Sequence, residues 1–363
     1  MTDVQVGSSL HATANGEGRF KRAATAWLSR YWLAALWSRL TRGRVCIFVF
    51  HHFAEGALTT QTAVPLQLLD EILGRLRRDG YQFVPLDEAV RSIGDGSFRE
   101  SRSVAFTVDD GYSDFRRSAE VFSAHGCPVT MFLTTGFIDG RDWMWWDRIE
   151  YICLRASAGR YRFRNNLPEV VFTDARDCSR IELAQRLCDD CRPLSDDEKH
   201  RLIRAFGEAT GVALPHRPPE QYRALTWDQI RELESATIRF APHTVTHRLL
   251  SRLDDDQAEW EVSESWRRLC DELINPMPIL AYPNGKPGDY GEREFRIAAA
   301  AGLIAAVTAV PEHAAPSQRN AESGGAGLFS LPRFPAPSDP DHACLAASGF
   351  YRIRQWLSRT VEA

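Results

Sequence analysis

Continuous apolar runs and amphipathic stretches alternate along most of this chain. Arg44-Val-Cys-Ile-Phe-Val-Phe50, Ser103-Val-Ala-Phe-Thr-Val108 and Pro128-Val-Thr-Met-Phe-Leu133 are runs of β-prone residues, the pattern of strands buried on both faces. Shorter runs at 81–85, 237–241, 277–282, 304–308 and 327–333 extend the series. Between them, 65–79 carries Leu66, Leu69, Ile72, Leu73 and Leu76 at helical spacing, with Pro65 at the start and Gly80 at the stop. Residues 86–93 and 112–125 read as further helices, and Thr226 is placed to cap a helix that ends at Leu233. A long helix is predicted over 253–273, with Asp254, Asp255 and Asp256 at its start, where the helix dipole favours anions; these acids cap rather than catalyse. Strand alternating with helix predicts an α/β fold built on a parallel sheet or barrel.

Three segments stand apart from this alternation. Residues 1–19 are polar and glycine-containing and read as disordered, with no apolar core of a signal peptide after a basic start. Residues 20–40 place Phe20, Ala24, Trp27, Leu28, Tyr31, Trp32 and Ala35 at helical spacing, while Lys21, Arg22, Arg30 and Arg39 rule out a membrane span. Such a helix either docks on the protein's own core or rests on an anionic membrane surface. Residues 141–225 interrupt the core with helical stretches at 148–156, 180–188 and 196–210, and form a cap or interaction surface near the mouth of the fold. The remaining division is a catalytic region over 43–350 and a short helical tail at 351–363.

Composition narrows the function classes. With 363 residues, 44% hydrophobic, the chain can bury a large core, and a net charge of −4 argues against a nucleic-acid binder. Eight scattered cysteines fit a reduced, cytoplasmic protein in which thiols act as small apolar groups. Cys188-Asp-Asp-Cys191 with Cys178 nearby has no second pair to complete a zinc site.

The candidate chemistry lies at strand ends. Ser103–Val108 delivers Asp109 and Asp110 side by side, followed by Gly111. Adjacent carboxylates raise each other's pKa unless a metal, a proton or an arginine compensates. Far downstream, Thr237-Ile-Arg-Phe-Ala-Pro-His243 ends in two histidines, His243 and His247, a spacing that puts both imidazoles on one face of a helical turn. His, His and Asp suit one borderline divalent ion. His51 and His52 close the first strand, and Trp143, Trp145 and Trp146 form a cluster that can stack on sugar rings or anchor the insertion.

At these residues the chain resembles the polysaccharide deacetylase family, whose catalytic region is called the NodB homology domain. Thr107-Val-Asp-Asp-Gly111 is similar to its first motif and His243-Thr-Val-Thr-His247 to its second. The resemblance covers roughly 44–140 and 226–335. It implies a distorted (β/α) barrel with fewer strands than a TIM barrel, Asp109 as general base, and Asp110, His243 and His247 as ligands of a divalent metal. Ala281-Tyr282-Pro283-Asn284-Gly285 aligns with the third motif, with Ala281 where an arginine is usual and Asn284 where a tyrosine is. That leaves control of Asp109 to Arg333 or Arg148, and leaves the Asn284 backbone N–H and Tyr282 as oxyanion or substrate contacts. The usual acid histidine has no clear counterpart, and His313 and His342 both read as solvated loop residues.

The expected activity is metal-dependent removal of N-acetyl groups from amino sugars of a cell-surface glycan or lipid-linked precursor. Zinc is the first expectation for the ion, with cobalt, manganese and nickel suiting the same donors. Alternatives are deformylation or another amide cleavage on a lipid-linked sugar, or a catalytically weak glycan-binding module. Action on the cytoplasmic side, with residues 20–40 at the inner face of the membrane, is the matching expectation for location.

Overall fold

The computed structural model describes residues 41–55, 62–141, 143–161, 170–172, 177–315 and 326–351. The expected helix at 20–40 lies outside them, as does the tail beyond Tyr351.

The first half of the core follows the hydrophobic pattern closely. β1 (Val45–Phe50) is buried at every position, and β2 (His52–Ala54) pairs in parallel with β3 (Ala63–Pro65). α1 (Leu66–Arg78) buries Leu69, Ile72, Leu73 and Leu76, the stripe its sequence predicts. β4 (Gln82–Phe83) is shorter than the predicted run because Pro85 already serves as N-cap of α2 (Leu86–Gly94). β5 (Ser103–Val108) is fully buried, α3 (Phe115–Ala124) returns the chain, and β6 (Val129–Leu133) follows, with the single turn α4 (Thr135–Ile138) at its end.

The insertion forms its own small core. α5 (Trp145–Arg155), the hairpin of β7 (Gly159–Tyr161) and β8 (Val170–Phe172), α6 (Asp177–Cys191) and α7 (Asp196–Thr210) make it up. Ile149, Ile152, Cys153, Ala184, Cys188, Cys191, Ile203 and Phe206 pack together there. Cys188 and Cys191 are therefore small apolar core residues, as a lone pair of thiols predicts. Ser195 and Glu198 form a capping box at the start of α7, and Gly211 ends it in the left-handed region at φ 69°.

The chain then completes the core. α8 (Trp227–Leu233) begins at the predicted Thr226 cap, and β9 (Ile238–Pro242) leads to α9 (Asp255–Glu272), whose N-cap Asp254 accepts from the Gln257 N–H at 2.8 Å. β10 (Ile279–Ala281), α10 (Glu292–Ala300), β11 (Ala305–Val307), β12 (Phe334–Pro335) and α11 (Pro340–Ser348) follow. The strand expected over 327–333 is instead a 3-10 turn, Ala326–Ser330, followed by a single bridge at Leu331. Pro332 has no N–H to give a ladder, so regular pairing resumes only at Phe334.

The strands form a parallel sheet in the order β12-β1-β5-β6-β9, with β4 on the start of β5. β10 and β11 pair in parallel beside it. The Met277 N–H donates to the Phe240 carbonyl at 2.7 Å between β9 and β10, and Val307 bridges Leu331, just ahead of β12. The strands thus run around a distorted barrel, and all their carboxyl ends open on one rim. Among the described residues no helix is long and apolar enough to cross a membrane.

One contact ties two of these strand ends together. The Gly136 N–H donates to the Val245 carbonyl at 2.8 Å, and a Cβ at Gly136 would lie 2.6 Å from that oxygen. Gly136→Ala is expected to lower stability by roughly 1–3 kcal/mol, read from urea unfolding. An unchanged midpoint would mean that the loop after β9 is freer to shift than this packing allows.

Candidate active site

The rim carries a set of strained turns that aim side chains inward. The Asp109 N–H extends the β1–β5 ladder one residue beyond the strand by donating to the Phe50 carbonyl at 2.9 Å. Asp110 then turns at φ 78° and Gly111 at φ 102°, where a Cβ would meet Ile138 at 2.7 Å. Aspartate tolerates the left-handed region better than most residues, and this reversal lets neighbouring carboxylates take different surroundings. After β9, the His243 N–H donates to the Leu133 carbonyl at 2.9 Å, and Thr244 and His247 sit at φ 64° and 59°. The expected helical turn between the two histidines is thus a loop with two left-handed residues. Asn284, after β10, is left-handed as well, at φ 60°. Strain of this kind persists only where packing over-determines it.

Glu261 does much of that work for the histidine loop. From the buried face of α9 its carboxylate accepts the Val245 and Thr246 N–H groups, each at 2.8 Å, and the Thr246 hydroxyl. The Thr244 hydroxyl accepts the His247 N–H at 3.1 Å. Sequence reasoning missed Glu261, since an acid within an amphipathic helix gives no local sign of a partner.

Asp110, His243 and His247 bring one ligand atom each within 4.8 Å of one another. Asp110 Oδ1 lies 3.5 Å from His243 Nε2 and 3.4 Å from His247 Nε2. Among the described residues that buried oxygen has no hydrogen-bond partner. His243 Nδ1 is 2.7 Å from the Ala281 carbonyl, so it carries the proton and Nε2 offers a lone pair. Burial pushes His243 below the usual imidazole range and His247 further below, so both rings are neutral. A buried oxygen and two nitrogen lone pairs facing each other repel unless a cation lies between them. Donors about 2.1 Å from a tetrahedral ion stand about 3.4 Å apart. The three atoms therefore fit a divalent metal.

Asp109 has a different partner. Arg333, buried to 1% exposure, gives Nη1 to Asp109 Oδ1 and Nη2 to Oδ2, both at 2.7 Å. The rest of the guanidinium is held by the Thr308 carbonyl at 2.9 Å and the Thr107 hydroxyl at 3.1 Å. Burial alone would raise the Asp109 carboxyl, but Arg333, with His243 and His51, overcomes it and holds the group at about 2. Asp110, without such a partner, is pushed well up by burial and by Asp109. Of the two arginines named as substitutes for the missing one at position 281, Arg333 fills the role. Arg148 instead gives Nε and Nη2 to the Trp143 carbonyl at 3.1 and 2.9 Å.

These groups border a cavity of about 410 Å³ roofed by α5 and α6 of the insertion. His51, Trp145, Trp146, Asn284 and Arg333 all face it. Burial holds His51 down at about 4, beside Asp109 and Arg333. His52 borders the cavity but is held by Asp114 at 2.8 Å and packed on the Tyr112 ring. Tyr282 gives its hydroxyl to the Phe329 carbonyl at 3.1 Å and its N–H to the Val307 carbonyl at 3.2 Å, so neither donor is available as an oxyanion contact. The tryptophans divide their work. Trp143 is buried against Tyr222 as an anchor, whereas Trp145 and Trp146 line the cavity, Trp146 edge-on to His247 at 4.8 Å. Asp147 was missed as a site residue: it is buried at the wall, accepts the Tyr112 hydroxyl at 2.8 Å, and is pushed well up by burial. His313 is buried against Phe334 rather than solvated, His342 lies beside its helix cap Asp339, and neither borders the cavity.

No protein-family model matches the chain, and no curated protein sequence does. Solved structures do. The Streptococcus pyogenes deacetylase PplD, in complex with acetate, superposes with a TM-score of 0.55 at 18% identity, covering 85% of this chain and 99% of that one. IcaB from Ammonifex degensii gives 0.52 at 14% identity over 84% and 97%. A de-N-acetylase from Aggregatibacter actinomycetemcomitans gives 0.50 at 12% identity over 80% and 94%. The expected α/β fold of the polysaccharide deacetylase type is thereby shown.

Breaking the buried ion pair from one side strands a charge. Arg333→Met is expected to cost about 3–5 kcal/mol, and the double variant Asp109→Leu with Arg333→Met to recover much of that, both read from urea unfolding. Additive losses in the double variant would show that the pair does not act as a unit.

Proposed function

We propose that this protein is a metal-dependent hydrolase that removes the N-acetyl group from an amino sugar of a glycan or glycan precursor. The observation that carries the reading is the convergence of three donor atoms, Asp110 Oδ1, His243 Nε2 and His247 Nε2, next to an Asp109 carboxylate that stays ionised. The shared fold with de-N-acetylases supports it, and acetate, found with the Streptococcus pyogenes protein, is the co-product of such a reaction.

A divalent ion held by Asp110, His243 and His247, zinc by preference of the donors, would supply a Lewis acid that lowers the pKa of water and polarises the acetamide carbonyl. The residues of the chain account for the remaining steps. Asp109, unprotonated across the neutral range, accepts the proton of the attacking water. Arg333 fixes the Asp109 carboxylate in place through both oxygens. The Asn284 N–H, on a left-handed turn at the cavity wall, would donate to the oxygen that becomes negative as the tetrahedral centre forms. Trp145 and Trp146 supply apolar faces on which a pyranose ring can stack. The products are a free amine and acetate.

Acetate release from N-acetylglucosamine oligomers, with zinc, cobalt, manganese or nickel added back to chelated protein, tests this reading. Asp109→Asn is expected to lower kcat by about 10²- to 10⁴-fold while one metal ion per chain is still bound. The converse is expected of His243→Ala, which removes a ligand: metal content falls well below one per chain, and activity falls with it. Activity in chelated protein without added metal, or full activity in Asp109→Asn, would refute the assigned roles.

A further inference from the structure

A second cavity, of about 370 Å³, adjoins the first, and Trp145, Lys199 and His247 line both. His247, one of the three donors of the metal set, thus borders both cavities. Its walls carry four permanent cations, Arg141, Arg148, Lys199 and Arg248, against the carboxylates of Asp196 and Asp197. His200 also lines it and adds little charge, because burial lowers its pKa.

These cations are held in place. Asp196 binds both Arg248 and Lys199, the latter at 3.4 Å, and Lys199 lies 5.0 Å over the Trp145 ring. Arg148 is oriented by the Trp143 carbonyl, and Arg141 by Asp139 at 3.2 Å. Guanidinium forks fixed around a concavity are the arrangement that recognises an oxyanion with several acceptors. Even with Asp196, Asp197 and the Asp139 that holds Arg141, the cations outnumber the carboxylates, and a phosphate, with more acceptors and more charge than a carboxylate, matches such a set better.

We propose that this second cavity is a phosphate-binding subsite, and that the substrate is an N-acetylated glycosyl phosphate whose sugar occupies the metal cavity. This rests on the deacetylase reading for the chemistry but not for the binding. The phosphate is bound, not transferred, so the reaction remains amide hydrolysis. A free sugar phosphate is a monoester with close to two charges, whereas a lipid-linked one is a diester with one charge and two free oxygens; both offer anionic acceptors to the guanidinium forks, and the test separates them.

Acetate release would be compared for N-acetylglucosamine 1-phosphate, unmodified N-acetylglucosamine and a prenyl-phosphate-linked N-acetylglucosamine in detergent. The wild-type protein is expected to favour a phosphorylated substrate by about 10- to 100-fold in kcat/KM, chiefly through KM. In Arg248→Gln that ratio is expected to fall below about threefold. Arg141→Gln, at an exposed position, repeats the test should the first variant not fold. Turnover of the soluble ester points to a free sugar phosphate, and turnover of the prenyl ester alone to a lipid-linked one. Separately, inorganic phosphate would be titrated calorimetrically into the chelated full-length protein, where the metal cannot bind it, with and without Arg248→Gln. Equal kcat/KM for neutral and phosphorylated sugars, with no heat of phosphate binding, would overturn the subsite and leave the deacetylase reading standing. Arg248-dependent phosphate binding in a protein that hydrolyses none of the three would do the reverse.

Discussion

The bidentate contact between Arg333 and Asp109 is the constraint on which the rest of the site depends. Both groups are almost fully removed from water, and neither could be left charged there alone. Asp109 ends β5 near the middle of the sheet, while Arg333 immediately precedes β12, at its edge. The guanidinium also takes the Thr308 carbonyl, after β11, and the Thr107 hydroxyl in β5. One side chain therefore links the strand that leads into the Asp109–Asp110 turn with the two segments that bring the barrel round. The segment that ends the ring is also what sets the charge of the carboxylate at its centre.

Parallel strands bring the remaining groups to the same place. Because every strand of the ring points the same way, residues after β1, β5, β9 and β10 meet at one rim however far apart they lie in sequence. Ladder geometry alone would splay these residues outward. The left-handed turns at Asp110, Thr244, His247 and Asn284 redirect them, and each is held from outside: by Ile138 packed against Gly111, by Glu261 under the histidine loop, and by the Asp289 carboxylate, which accepts the Asn284 amide at 2.6 Å. The polar groups holding the loops are as much part of the site as those facing the cavity.

How much of this the sequence disclosed follows from the range of the interactions. β1, β5 and β6 were legible as apolar runs, α1 from its Leu/Ile stripe, and α8 from the Thr226 cap, because each is decided by neighbours within a turn or a strand. Asp109, Asp110, His243 and His247 were legible through their motifs. The arginine was legible only as a choice between Arg333 and Arg148, because a guanidinium can reach Asp109 from a distant segment and no local pattern tells the two apart. The histidine loop was misread as helical for a similar reason: the i, i+4 spacing suits a helix, but Glu261, distant in sequence, offers the backbone N–H groups a better acceptor than a helix would. The 327–333 run was taken for a strand on its apolar residues, though Pro332 could not complete a ladder. Trp143 and Trp146 look alike in sequence, and only the insertion's packing makes one an anchor and the other a cavity wall.

The adjacent carboxylates show what this arrangement achieves. Asp109 and Asp110 are neighbours in the chain, equally buried, and would ordinarily compete for a single proton. The turn at Asp110 sends them to opposite kinds of partner. Asp109 receives a permanent cation within the protein and stays ionised, while Asp110 receives two neutral imidazoles and no hydrogen-bond donor to its Oδ1. Left so, Asp110 is pushed toward its protonated form; a divalent ion in its place would restore the charge. Environments that drive two like groups apart in this way assign them different tasks. In the proposed reaction, the countercharge keeps Asp109 ionised at neutral pH, as a base must be, and the residue without one would hold the acquired cation. The division of labour between base and ligand in that reaction would follow from one arginine and one left-handed residue.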